Sequence, residues 1–461
     1  MARGKKKEAA LSPAERLQAA LVPESEQPYK VPENWCWVEL GKLSTSQYGY
    51  TSKAIKNDTC PKMLRITDIQ DNGVDWNKVP NCQIDKENLE KYSLSDGDIV
   101  IARTGATTGK SFLLNNPYNS VFASYLIRLR ISNKISRLYA FEFLQTDCYW
   151  KQISELSSGI AQPGVNATKL QSLYFPLAPL SEQQRIVDRI ENLFAKLDEA
   201  KQKAQDALDS FETRKAAILH KAFTGELTAQ WRKEHGVGME SWEKTILKNV
   251  CKVNPKKIDT NGLPDNLEVS FFPMASLSEI NGEITEPQIK LLKDVKAGFT
   301  NFSEGDVVFA KITPCMENGK SAVIGKLVND IGYGTTEFYV LRCDEKLYNR
   351  YLHYIVRDVT FRREAKYVMT GAVGQQRVPK SFMENYPLYL PSVPEQTKIV
   401  RILDDLLAKE QQAKEAAEKV LEQIDLTKKA ILARAFRGKL GTHDPTEESA
   451  LEQLREIFEE F

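Results

Sequence analysis

The 461-residue sequence predicts a mixed α/β (α+β) fold: two duplicated modules and two long helices that pair as an antiparallel coiled coil. Three observations lead there. A 46-residue segment occurs twice, a heptad seam runs through both of its copies, and short β-rich runs lie between turn residues upstream of each copy.

The repeat sets the architecture. Glu182–Leu227 returns as Glu395–Leu440 at a constant offset of 213, with 19 of the 46 positions identical. Upstream the correspondence continues with small length changes. Trp35 and Leu40 match Trp242 and Leu247, and Gly97-Asp98-Ile99-Val100 matches Gly305-Asp306-Val307-Val308. Gly109-Lys110-Ser111 matches Gly319-Lys320-Ser321, Leu129-Arg130 matches Leu341-Arg342, and Gly159 matches Gly371. Two copies are too few for a solenoid, so the chain is an internal duplication.

Within the repeated segment Ile186, Ile190, Leu193, Leu197, Ala200, Ala204, Ala207 and Phe211 are spaced alternately by four and three, a heptad seam. Its second copy runs Ile399, Leu403, Leu406, Glu410, Ala413, Ala417, Val420, Ile424, with one polar interruption. Ser181…Gln184 and Ser392…Glu395 carry a helix-start signature, and Gly225 and Gly438 a stop. Glu182–Phe223 as one helix would be roughly 63 Å long at about 1.5 Å per residue. A seam on one side needs a partner, and the simplest is the other copy, set antiparallel by a twofold relation. The alternative packs each helix on its own module, although both seams outrun the length a module covers.

The modules read as mixed α/β. Asp98–Arg103, Tyr125–Ile131, Asp306–Lys311 and Phe338–Arg342 are the β-rich runs, followed by helical stretches such as Leu138–Ser154 and Leu347–Tyr367. Hydrophobic residues make up 42% and charged residues 27%, enough apolar material for real cores. Sixty-three Lys and Arg against 62 Asp and Glu give a net charge of +1, which excludes a uniformly basic nucleic-acid coat. No apolar run approaches the length of a membrane span, and the seven scattered cysteines contain no C-x-x-C pair. The expectation is a cytoplasmic protein with reduced thiols, no membrane association and no metal site.

The motifs offer several candidates for chemistry. Arg103-Thr-Gly-Ala-Thr-Thr-Gly-Lys-Ser111 approaches a P-loop, but only three residues separate its glycines where the phosphate wrap needs four. The second copy, Lys311 to Ser321, lacks the first glycine. Both copies keep a strand, a cation (Arg103, Lys311), a polar loop and Gly-Lys-Ser. This suits a turn that offers Arg103, Thr104, Thr107 and Lys110, or Lys311, Asn318 and Lys320, to an anionic surface. A plain hairpin with a solvated lysine accounts for the same residues. Asn115-Asn116-Pro117-Tyr118 falls short of an amino-methyltransferase motif, and the four histidines are dispersed. No catalytic residue is expected. The glycine-rich loops before each helix carry Gln162 and Asn166 in one copy and Gln375, Gln376 and Arg377 in the other. Gln, Asn and Arg are the side chains that pair with base edges, and they are also ordinary loop residues. Arg65, in the β-like run Met63–Thr67, has no counterpart near Phe272-Pro273-Met274, so the modules should differ there if they read different sequences.

Taken together, these residues resemble the specificity subunit of type I restriction–modification systems. The resemblance rests on P-L-S-E-Q-Q-R-I-V (Pro179–Val187), its echo P-S-V-P-E-Q-T-K-I-V (Pro391–Val400), and A-F-x-G-x-L closing both helices (Ala222–Leu227, Ala435–Leu440). The Trp35 and Trp242 entries, the G-D-[IV]-V runs and the glycine-rich loops belong to it, and it covers nearly the whole chain. It implies a non-catalytic subunit whose two target-recognition domains each read one half of a bipartite, asymmetric site in double-stranded DNA. The DNA-contacting candidates are then Arg65, Arg103, Thr104, Thr107, Lys110, Gln162, Asn166, Lys311, Asn318, Lys320, Gln375, Gln376 and Arg377. The helices would set the gap between half-sites and dock two modification subunits that bind S-adenosylmethionine and methylate adenine N6. Ile186, Ile190, Leu193, Leu197, Phe211, Ile399, Leu403, Leu406, Val420 and Ile424 would form their seam. Up to two restriction subunits using ATP and Mg would join, and this chain itself would bind no cofactor. The rival reading is a coiled-coil scaffold without DNA readout.

The expected divisions are a basic, helical segment at 1–31, module one at 32–180, the central helix at 181–227 and module two at 228–393, with a linker at 228–239. The second helix follows at 394–440 and an acidic tail at 441–461. The tail holds seven acids and one base, whereas 32–180 carries +2 and 240–393 +1. Near-neutrality is therefore an average over unlike pieces, and mildly basic modules suit a subunit that binds DNA poorly alone.

Overall fold

A computed structural model describes residues 13–55, 57, 59–70, 73–157 and 164–460. The chain forms two compact units, one holding the described residues up to Ala204 and those from Lys419 onward, the other Gln205–Glu418. The division falls inside the long helices rather than at their ends. Each unit contains one module, the start of one long helix and the end of the other.

In the first unit an antiparallel sheet is built from β1 (Ser44–Tyr48), β2 (Ile99–Ala102), β3 (Ser111–Leu113) and β4 (Leu126–Ile131), in the order β1-β4-β2-β3. The second unit repeats it with β5 (Cys251–Val253), β6 (Val307–Ala310), β7 (Ser321–Val323) and β8 (Phe338–Cys343), in the order β5-β8-β6-β7. β2 and β6 are apolar throughout because both of their faces are covered. Ile99 and Ile101 enter one core cluster and Val100 and Ala102 another. Val307 and Phe309 divide from Val308 and Ala310 in the same way. Each of the Ile, Val and Phe side chains contributes about 1.5–3 kcal/mol by leaving water, and the alanines less. A further four-stranded sheet in each unit contains one parallel pair, Lys62–Leu64 with Ser120–Phe122 and Glu268–Phe272 with Gly332–Gly334.

The repeated motifs turn out to be structural clips. The Gly-Asp turns need the positive φ of Gly97 (78°) and Gly305 (83°). The aspartate that follows accepts a bidentate arginine from β4 or β8. Arg130 donates to Asp98 at 2.7 and 3.1 Å, and Arg342 to Asp306 at 2.7 Å through both nitrogens. Trp35 Nε1 donates to Glu182 Oε2 at 2.7 Å, and Trp242 Nε1 to Glu395 Oε2 at 3.0 Å. The neighbouring Gln183 and Gln396 accept from the backbone N–H of Ser136 and Tyr348. Thus the Trp entry and the Glu-Gln pair lock each module to the helix that follows it.

The long helices are α1 (Leu180–Asp209), α2 (Phe211–Phe223) and α3 (Val393–Ala435). In the first unit Asp198 pairs with Lys428 at 2.5 Å, and Ile186 and Ile190 share a core with Leu432 and Phe436. In the second, Arg214 pairs with Glu410 at 2.8 Å, Lys414 Nζ lies over the Phe211 ring, and Leu219 and Ala222 share a core with Ile399 and Leu403. In each unit, rising numbers on one helix meet falling numbers on the other, so the segments run antiparallel. Phe436 packs on Tyr139 (4.9 Å between ring centroids) and Phe223 on Tyr351 (5.8 Å), which is where the A-F-x-G-x-L motif does its work. Gly225 and Gly438 end the helices with φ of 81° and 66°.

Three expectations need correction, and a fourth gains detail. The central helix is not continuous: Ser210 Oγ bonds back to the carbonyls of Asp206 and Ala207, and Arg214 reaches Ala207 O, which separates α1 from α2. α1 begins at Leu180, so Ser181 lies in its first turn and bonds Glu447 instead of capping. Val420 is 43% exposed although the heptad spacing puts it on the seam. At about 100° per residue it has drifted roughly 60° from Ile399, whereas the buried Ile424 has drifted only about 20°. Finally, the acidic tail contains a helix, α4 (Ala450–Glu460), whose Ala450, Leu454 and Ile457 are buried in the first unit's core.

Candidate nucleic-acid interface

In both units the residue after the central strand is held in the same backbone frame. Arg103 N–H donates to Tyr125 O and Arg103 O accepts from Val165 N–H; Lys311 N–H donates to Glu337 O and Lys311 O accepts from Val378 N–H, at 2.9–3.1 Å. This frame sets the cation loop beside the glycine-rich loop, through a bridge of Thr104 to Gly164 in one unit and Ile312 to Arg377 in the other. The sequence repeat therefore has a counterpart at the candidate site itself.

Within the first unit the Arg103 guanidinium lies 4.8 Å from the centroid of the Tyr48 ring, and Nη1 donates to Ser124 O at 3.4 Å. Its buried Nε has no hydrogen-bond partner among the described residues. Tyr48 OH accepts from Ala167 N–H at 2.9 Å and so ties the ring to the glycine-rich loop. Thr107 and Lys110 are exposed on the turn that leads into β3. The Gly-Lys-Ser motif is thus the exit of a β-hairpin. Asn166 caps the short helix Ala167–Gln171 through its Oδ1, leaving its amide nitrogen as a donor. Gln162 lies outside the described residues. Arg65 is elsewhere, at the end of Lys62–Leu64, and bonds Asp68 bidentately at 2.7 and 3.0 Å.

The second unit is more heavily paired. Lys311 Nζ lies 5.4 Å from the centroid of the Tyr339 ring. Asn318 donates to Glu279 at 3.0 Å, and Lys320 reaches Met274 O and lies 3.6 Å from the same carboxylate. Arg377 forms a bidentate pair with Glu337 at 2.9 and 3.0 Å, which holds that carboxylate below its usual range and raises the guanidinium. Gln376 is clipped to Thr313 through its backbone, while Gln375 is exposed at the loop tip. Sequence reasoning missed the rings under the cations, Tyr48 and Tyr339, and the exposed Tyr125, Tyr367 and Val373 that flank these loops. Only their position next to the glycine-rich and strand-end motifs could have marked them.

Among the described residues no group of His, Cys, Asp and Glu is arranged to hold a metal, and no helix is long and apolar enough to cross a membrane. What remains is a ring-backed cation in each unit, beside a glycine-rich loop whose described amide side chains are Asn166 in the first unit and Gln375 and Gln376 in the second. Phosphate contact and base readout need those two ingredients side by side.

The sequence comparisons agree with this architecture. Residues 32–208 and again 239–423 match the type I restriction modification DNA specificity domain, so the chain belongs to that family and carries two such domains in tandem. Over 263 residues it is 35% identical to the type I restriction enzyme EcoAI specificity subunit of Escherichia coli. That match covers 48% of this chain and 44% of the relative, less than half of its length. The StySPI specificity subunit of Salmonella potsdam is 25% identical over 433 residues, covering 89% of this chain and 90% of the relative. The HsdS subunit of Thermoanaerobacter tengcongensis shares the fold, with a TM-score of 0.60 at 20% identity over 90% of this chain and 100% of that one. A chain solved in work on complex assembly of the type I R-M system gives 0.61, also at 20% identity, over 89% and 100%.

Proposed function

We propose that this chain is the DNA sequence-specificity subunit of a type I restriction–modification complex, each unit reading one half of a bipartite, asymmetric site. The observation that carries the reading is the repeated frame at Arg103 and Lys311, which sets a cation next to a glycine-rich polar loop in both units. Arg103, Lys110 and Lys311, with Thr104 and Thr107, would contact phosphates. Gln162, Asn166, Gln375 and Gln376 would reach base edges, with amide groups suited to adenine N6 and N7. Arg65 and Arg377 already hold a carboxylate each, so their part is to shape the loops rather than to read bases. Asn318 and Lys320 are likewise tied to Glu279 and stiffen their turn.

In this reading the chain performs no chemistry. Two modification subunits docked on the long helices supply S-adenosylmethionine and transfer its methyl group to adenine N6, one adenine on each strand. Each target base must leave the stack to be reached. Up to two restriction subunits bring ATP and Mg. The test is selection of bound duplexes from a random pool, using the chain assembled with its modification subunits at moderate salt. Recovery of two short fixed blocks separated by a fixed gap supports the reading. Sequence-independent recovery contradicts it and favours the scaffold.

A further inference from the structure

The second unit contains a cavity of about 760 Å³ between α2, the first half of α3, the helices Asn349–Arg357 and Val359–Tyr367, and the loop Ser278–Glu283. Lys215, Arg357 and Arg362 line one part of it. Among the described residues none of the three forms an ion pair with a carboxylate. Arg357 donates only to the carbonyls of Gly319, Glu279 and Ile280, and Arg362 to those of Arg357 and Glu317. Glu212, three residues before Lys215 on the same helix, makes no ion pair with it.

Of the carboxylates on the wall, Asp404 and Glu279 face other cations, Arg350 and Lys320, and Glu283 and Glu415 hydrogen-bond to neutral amides. Asp404 accepts from Arg350 and Tyr354, Glu279 from Asn318, Glu283 from Asn281 and Glu415 from Gln411. Three cations therefore share a partly enclosed space without an ion pair of their own, the Glu212 carboxylate acting on Lys215 only through its field. Burial and mutual repulsion lower Lys215 and bring Arg357 down to about 10. Such an arrangement is costly unless something anionic enters it.

The duplication supplies an internal comparison. The positions equivalent to Tyr354, Arg357 and Arg362 in the first unit are Glu142, Gln145 and Trp150, and the equivalent of Lys215 is Lys428, which pairs with Asp198. The cationic cluster is thus not a requirement of the fold. It belongs to the second unit alone.

We propose that the cavity at Lys215, Arg357 and Arg362 binds a small multivalent oxyanion of the diphosphate class. Its volume lies within the range of small-molecule sites, and two arginines with a lysine match a pair of phosphoryl groups. The site borders the far end of the Lys311 turn, whose Asn318 and Gly319 line its wall, and lies apart from Arg377; its anion binding does not depend on these loops reading DNA.

The experiment is calorimetric titration of the full chain with inorganic diphosphate. Saturable binding of one diphosphate per chain is expected. It should weaken at least tenfold in Lys215→Met and in Arg362→Gln, and stay unchanged in Lys428→Met. Lys215→Met removes no hydrogen bond of the described structure, so it should keep the fold, which circular dichroism checks. Absence of saturable binding, or an equal loss in Lys428→Met, overturns the proposal. So does displacement of diphosphate by duplex DNA together with a matching loss of DNA affinity in Lys215→Met, which would make the cluster a DNA-backbone contact.

Discussion

Arg103 and Lys311 occupy one backbone position in two units, and each half-buried cation lies against a tyrosine ring. Arg103→Ala and Lys311→Ala should each weaken DNA binding by the assembled complex across sequences, and each should lower the salt slope by about one. Fluorescence anisotropy at several salt concentrations measures both. Glu142 makes a separate prediction. Burial, reinforced by Glu191, raises its carboxyl from 4.5 to about 7 despite Lys428. The folded state thus holds a proton that the unfolded state releases above pH 4.5, so stability falls as pH rises from about 4.5 to 7. Glu142→Gln should therefore be more stable than the parent above pH 7, by roughly 3 kcal/mol, with a higher melting temperature there and no gain below pH 4.5. At this scale the sequence was legible only where partners are close. Arg65 and Asp68 stand three apart, and their pairing could have been read from spacing. Arg377 finds Glu337 forty residues away, and only the folded loops bring them together.

Helix anchoring shows how the same motif was solved twice with different means. Glu395 is buried with Arg232 at 2.7 Å, Thr228 and Trp242, whereas Glu182 has Trp35 and His443, and its Oε1 lacks a partner among the described residues. Glu395→Ala would leave the Arg232 charge buried and alone, and a destabilisation of about 3–5 kcal/mol is expected by thermal melting. Inserting one heptad into both long helices should lengthen the gap between half-sites by about three base pairs, from about 10 Å of added helix, and leave the half-sites unchanged. Methylation mapping reads that out, and an unchanged gap would count against the helices as a ruler. The helices were readable because their apolar period is local to the chain. The break at Ser210 was not, since it depends on where one hydroxyl and Arg214 bond. Strand order was equally hidden, because β2 and β6 say by composition that they are central but not which strands flank them. In α4 the acidic composition drew attention away from an apolar face at Ala450, Leu454 and Ile457 that the spacing did contain.

For the whole molecule, a net charge of +1 conceals two mildly basic modules and a strongly acidic C-terminal stretch. The isolated chain should accordingly bind DNA weakly, with affinity rising once modification subunits share the phosphate contacts. Its composition pointed away from a nucleic-acid coat, and it took the repeat to show that recognition could reside in two small surfaces instead. The duplication is carried through strand order, the Asp98–Arg130 and Asp306–Arg342 clips, the tryptophan locks and the frames around Arg103 and Lys311. Two independent readers on one scaffold is the claim that unites them. The direct measurement is methylation mapping in cells where residues 32–180 have been exchanged for the corresponding module of another family member. The account expects one half of the methylated target to change while the other half and the gap stay fixed. A change in both halves, or in neither, would contradict it.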